Sequence, residues 1–156
     1  MGSREETRRF YMTEYDQVAS LREDWEGIRV GDSVIEISTL DIQIKKHGLP
    51  DYCKIDVEGW ELEVMQGLSQ AIRHISFEYH LSESEIQCAL SVLERIGKLG
   101  SYHCNMKEAS SESFALPGFI PLEEFRERFP HRLGVDPKDG YGDIFCTLDP
   151  TVFLIG

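Results

Sequence analysis

The sequence predicts an α/β fold with a mostly parallel sheet and antiparallel final strands. Three observations lead there. Short apolar runs of strand length alternate with runs of helical period between residues 33 and 106. The order strand–helix–strand–helix–strand calls for parallel neighbours joined by right-handed crossovers. The last two strand-like runs, 101–106 and 143–148, are separated by a short helix and long loops, which suits antiparallel pairing at one edge. With 156 residues and 41% hydrophobic content, the chain reads as a single domain, 1–156, with one core.

The elements follow in order. Residues 8–13, Arg-Arg-Phe-Tyr-Met-Thr, read as a strand. Residues 14–32 are acidic and turn-rich, and predict an irregular loop with a helical turn near Val18 to Asp24. Residues 33–38, Ser-Val-Ile-Glu-Ile-Ser, alternate like a half-buried strand. Thr39 then caps a short helix carrying Leu40 and Ile44 on one face and ended by Gly48-Leu49-Pro50. A strand at 52–57 precedes a helical run in which Trp60, Val64 and Leu68 recur every four residues, beside Met65 and Ile72.

Residues 74–80, His-Ile-Ser-Phe-Glu-Tyr-His, make the next strand. Ser82 and Glu85 form a capping box that opens a helix with Ile86, Ala89, Leu90, Leu93 and Ile96 inward, stopped by Gly97 and Gly100. The strand at 101–106 leads into a Ser-rich loop at 108–118, long enough to act as a substrate lid. Pro121 suits the first position of a helix with Leu122, Phe125 and Phe129 inward, halted by Pro130. The turn Asp136-Pro137-Lys138-Asp139-Gly140 feeds the last strand, 143–148.

Charge narrows the partners. The formal charge of −12 arises from 28 acidic against 16 basic residues. Such a surface repels phosphate backbones and anionic lipid, so nucleic acid and membranes are not the expected partners; a small polar or cationic ligand is. The cysteines, 53, 88, 104 and 146, form no Cys-x-x-Cys pair and read as free thiols in a reducing, cytoplasmic setting. No apolar run is long enough to span a membrane, and the first nine residues have no apolar signal core.

The most informative stretch is Tyr52-Cys-Lys54-Ile-Asp56-Val-Glu58-Gly59-Trp60-Glu61, a strand tipped with carboxylates, then a Gly and a helix. Ligands of open α/β sheets bind at the carboxyl ends of strands. Helix capping explains one such acid, because negative charge is favourable at a helix N-terminus. It explains Lys54, Asp56, Glu58 and Glu61 together less well. Glu58 also reads as a plain cap, Glu61 as a first-turn acid that suits the helix dipole, and Asp41 as a cap before anything else. Lys54 reads as the partner of a neighbouring acid or as a contact to a substrate group. His80, at the end of its strand, reads either as a base facing a cleft or as a histidine bonded to Glu78. His74 and His103 read as structural, and Trp60 as core in phase with Val64 and Leu68.

Lys54-Ile-Asp56-Val-Glu58-Gly59-Trp60-Glu61 resembles the central motif of FkbM-type methyltransferases, which use S-adenosylmethionine. Thr39-Leu40-Asp41 is similar to that family's Thr-Leu-Asp, and Phe77-Glu78-Tyr79-His80 resembles its following strand, which commonly ends Glu-x-His. The resemblance spans roughly residues 8 to 100, and Gly142-Asp143-Ile144-Phe145 resembles the usual final strand of class I methyltransferases. It implies methyl transfer to a hydroxyl of a sugar or small metabolite. Asp56, His80 and Glu58 would be catalytic, Asp56 would lie by the cofactor, and Glu78 and Lys54 would meet the substrate.

One feature of the family is missing. Class I methyltransferases open with a strand, a Gly-rich turn and a helix that cradle the cofactor, and here the glycines lie singly apart from Gly140-Tyr141-Gly142. The expectation is therefore an incomplete Rossmann-like class I methyltransferase sheet, the C-terminal part of the fold, whose S-adenosylmethionine site is incomplete and whose activity alone is weak or absent. The acidic-tipped strand then becomes a sheet edge. It would self-associate, dock a complementing N-terminal half, or be covered by the 33–38 strand. Two other readings stay open: a non-catalytic interaction module or fragment that pairs through this edge, and a metal-dependent hydrolase built on Asp56, Glu58 and His80.

Overall fold

The computed structural model describes residues 1–13, 29–129 and 140–151, and the backbone divides into two compact units. The helical turn expected near 18–24, Pro130 and the turn at 136–139 lie outside the described residues. The first unit comprises residues 1–49 and 56–69. Its strands β1 (Glu6–Thr13) and β2 (Arg29–Ile37) pair antiparallel, with Glu6 opposite Ile37 and Met12 opposite Gly31. So β2, which takes in residues 33–37 of the expected strand, joins β1 in a two-stranded sheet of its own.

Helix α1 (Leu40–His47) forms as its caps dictate: Thr39 Oγ1 accepts from Ile42 N at 3.2 Å, and Gly48, at φ 95°, ends it. Helix α2 (Glu61–Gln66) is far shorter than the apolar period from Trp60 to Ile72 suggests. Asp41 accounts for the early stop. Its backbone N–H bonds Gly67 O at 3.0 Å, and its carboxylate accepts from Ser69 N at 2.9 Å. These bonds engage backbone groups that a longer helix would use for itself.

The second unit comprises residues 50–55 and 70–156. Its described strands are β3 (Tyr52–Ile55), β4 (His74–His80), β5 (His103–Glu108), β6 (Ile120–Pro121) and β7 (Tyr141–Thr147), in the order β3-β4-β7-β5-β6. The sheet is mixed rather than mostly parallel. Only β3 and β4 pair in parallel, and β7 runs antiparallel between β4 and β5. The expected antiparallel pairing of the last two long strands therefore occurs, but in the sheet's interior. β3, β4 and β5 still share one direction, so their carboxyl ends open on one side.

Helices α3 (Glu83–Gly97) and α4 (Leu122–Arg128) contact β4 and β5 respectively. Ser82 Oγ accepts from Glu85 N at 3.4 Å, as its capping box predicts. The core is the face carrying Ile75, Phe77, Tyr79, Cys104, Met106, Ile144 and Cys146, joined by Leu93, Ile96, Leu122, Phe125 and Phe129. Fully burying each large side chain contributes about 1.5–3 kcal/mol. The four cysteines are free, and Cys104 and Cys146 face each other across the β5–β7 ladder with Sγ atoms 3.2 Å apart. Burial pushes the Cys104 thiol well above its ordinary range.

The β7 insertion is tight at Gly142. A Cβ there would collide with the Lys107 carbonyl oxygen and come within 2.9 Å of Glu108 Cα. Backbone cannot yield as a flexible side-chain tip can, so Gly142→Ala should lower stability by about 1–3 kcal/mol. Urea unfolding of both proteins measures this; an unchanged midpoint would show that β7 does not approach β5 so closely.

Candidate functional site

In the first unit, the residues after β3 form a compact turn. Asp56 is exposed at its start. Glu58 adopts φ 53° and Gly59 φ 85°. Glycine takes positive φ freely, whereas a residue with a Cβ is strained there by about 1–2 kcal/mol. Glu61, only 5% exposed, stabilises the turn: its Oε1 accepts from Val57 N and Gly59 N, each at 3.3 Å. A buried carboxylate requires such donors. Glu61 is thus a positioning residue for Asp56 and Glu58, and reading it as a first-turn acid alone missed this. The available signal was its place just past the Gly, where an acid can reach back to free N–H groups, as in a capping box.

Trp60 belongs to the same unit and is not core. It is partly exposed, and the Arg8 guanidinium lies 4.9 Å from its ring centroid. This cation–π contact between distant parts of the chain has no periodic signature.

In the second unit, alternation along β4 turns Ile75, Phe77 and Tyr79 to the core and Ser76, Glu78 and His80 to the other face. Glu78 and His80, two residues apart, are therefore neighbours, with Nε2 to Oε2 at 3.4 Å. The His80 ring stacks on Tyr141, centroids 5.7 Å apart and planes 19° from parallel. In this contact Nε2–H donates to the Glu78 carboxylate. Lys54, half-exposed on β3, lies 3.8 Å from Asp143 Oδ1 on β7, which matches its reading as the partner of a neighbouring acid. That separation in partial solvent is worth under about 1 kcal/mol.

Two further residues shape this end of the sheet. Asn105, 1% exposed, anchors the Ser-rich loop by donating to Leu116 O and Gly118 O and accepting from Leu116 N. Tyr79 is 2% exposed, and its hydroxyl has no hydrogen-bond partner among the described residues. Burial first, then the Glu108 and Asp143 carboxylates, raise its phenol far above the ordinary value, so it stays protonated. Of the expected site residues, the second unit brings together Glu78 with His80. The first unit sets Asp56 and Glu58 on one braced turn.

An α/β chain with ionisable side chains gathered at the carboxyl end of an inner strand has the layout of a ligand-binding α/β enzyme, and its mixed sheet is compatible with a methyltransferase-like fold. The family model of the methyltransferase FkbM domain matches residues 3–130. The chain belongs to that family. Comparison with curated proteins and with solved structures gives no significant match. No helix among the described residues is long and apolar enough to cross a membrane.

The strain at Glu58 is open to measurement. Glu58→Val should be at least about 1 kcal/mol less stable than Glu58→Gly, because a β-branched residue suits positive φ least. Equal urea midpoints for the two variants would mean that the turn does not hold residue 58 in this conformation.

Proposed function

We propose that the chain takes part in methyl transfer from S-adenosylmethionine to a hydroxyl of a sugar or other small metabolite. The observation that carries the reading is the Glu78–His80 pair at the carboxyl end of β4, within a chain of the methyltransferase FkbM family. A hydroxyl that becomes an ether oxygen must lose its proton. His80 takes that proton at Nδ1, and Glu78 steadies the imidazolium that results. Glu78 and Lys54 are assigned to the acceptor side. Asp56, on its turn with Glu58, keeps the position nearest the donated methyl that the family motif implies, and orients the reacting groups.

The described residues do not form a full cradle for S-adenosylmethionine. Such a cradle needs a Gly-rich turn between a strand and a helix, with backbone N–H groups open to the ligand. The glycine turn after β3 has N–H groups already engaged by Glu61, and β1 and β2 form an antiparallel pair. Donor affinity for this chain by itself should therefore be weaker than micromolar. The reading as an edge-pairing module has less support, because β3 is four residues long and carries exposed Lys54, two features that blunt a sheet edge.

The test uses methyl-labelled S-adenosylmethionine at millimolar concentration with a panel of hydroxylated monosaccharides. The intact chain should label an acceptor, and His80→Gln and Asp56→Asn should each reduce labelling at least 100-fold with unchanged melting temperature. Unchanged turnover in either variant removes that residue from the mechanism. Calorimetric binding of the donor at micromolar affinity would contradict the weak cradle.

A further inference from the structure

A cavity of about 210 Å³ opens in the second unit, lined by Tyr79, Leu81, Glu108, Ser110, Gly140 and Tyr141 among others. It lies where β4 and β5 end and β7 begins. Register sets it apart from the Glu78–His80 pair. Tyr79 sits opposite Gly142, and Gly142 opposite Glu108, so Tyr79 and Glu108 share the core face while Glu78 and His80 occupy the other.

Two polar groups in its wall lack partners among the described residues. The Tyr79 hydroxyl is almost fully buried and makes no hydrogen bond among the described residues. Leaving a buried hydroxyl unpaired costs about 1–3 kcal/mol, so it calls for an explanation. Half-buried Glu108 has no ion-pair partner among the described residues. Neighbouring backbone N–H groups offer little to an anion, since Leu81 N bonds Gly140 O and Ala109 N bonds Tyr141 O. Among the described residues, the lining thus offers the Glu108 carboxylate and the hydroxyl-bearing Tyr79, Ser110 and Tyr141, and no Lys, Arg or His. Its volume is below the roughly 300–1,000 Å³ of sites for drug-sized ligands, which limits an occupant to about a monosaccharide.

We propose that this cavity is a binding subsite for a small molecule bearing a protonated primary amine, with the ammonium on the Glu108 carboxylate and the Tyr79 hydroxyl as its second contact. A neutral polyol of the same size would satisfy the hydroxyl and leave the carboxylate without its counter-charge. An anion would be repelled by it. The assignment does not rest on the methyl-transfer reading, because neither Glu78 nor His80 lines the cavity.

Titration of the full chain with glucosamine and with glucose, followed by calorimetry and thermal shift, tests it. The two sugars differ by one amine in place of one hydroxyl. Glucosamine should bind saturably and raise the melting temperature, and glucose at the same concentration should not. Glu108→Gln should weaken glucosamine at least tenfold. Tyr79→Phe should also weaken it, while raising the melting temperature of the ligand-free chain, because it removes an unpaired buried hydroxyl. Equal binding of both sugars, no binding of glucosamine, or undiminished binding by Glu108→Gln overturns the proposal. None of these readouts depends on methyl transfer.

Discussion

The insertion of β7 between β4 and β5 is the constraint on which the second unit depends. All seven residues of β7 have register partners on β4, and its six residues from Gly142 to Thr147 also have partners on β5. Without β7, two strands that run the same way would have to meet directly, and the buried backbone groups of Ile75, Phe77 and Cys104 would need other partners. The close approach at Gly142 follows from this placement, as does the core face made by Ile144 and Cys146 between the β4 and β5 side chains.

The same insertion arranges the chemistry. Because β7 begins where β4 ends, Tyr141 reaches the His80 ring and also lines the cavity beside Tyr79. Asp143, opposite Glu78, meets Lys54 from β3. Strand alternation then divides the carboxyl end into two environments. One face carries Glu78, His80, Asp143 and Lys54, partly in water. The other carries the Tyr79 phenol and the Glu108 carboxylate at the margin of the core.

The first unit uses a different device. Its turn after β3 depends on one buried carboxylate, Glu61, which satisfies two backbone N–H groups that positive φ at Glu58 and Gly59 turns away from regular structure. Asp41 does comparable work at the other end of α2. The acidic residues that make the sequence distinctive are therefore divided between bracing backbone and facing solvent, and the bracing fixes where Asp56 stands.

Local chemistry was legible in the chain itself. Thr39 and Ser82 announced their helices because a cap bonds within three residues, and the strand at 74–80 showed its alternation directly. The motif at 54–61 and the Glu78–His80 spacing were visible for the same reason: the interacting groups are near in sequence. What sequence left open involved partners far apart along the chain. The place of β7 inside the sheet, the early end of α2 under Asp41, the Arg8–Trp60 contact and the unpaired Tyr79 hydroxyl each depend on residues 28 or more positions away or on the packing around them. Periodicity reports which face of an element is apolar; only tertiary structure decides what that face, and each polar group beside it, finally meets.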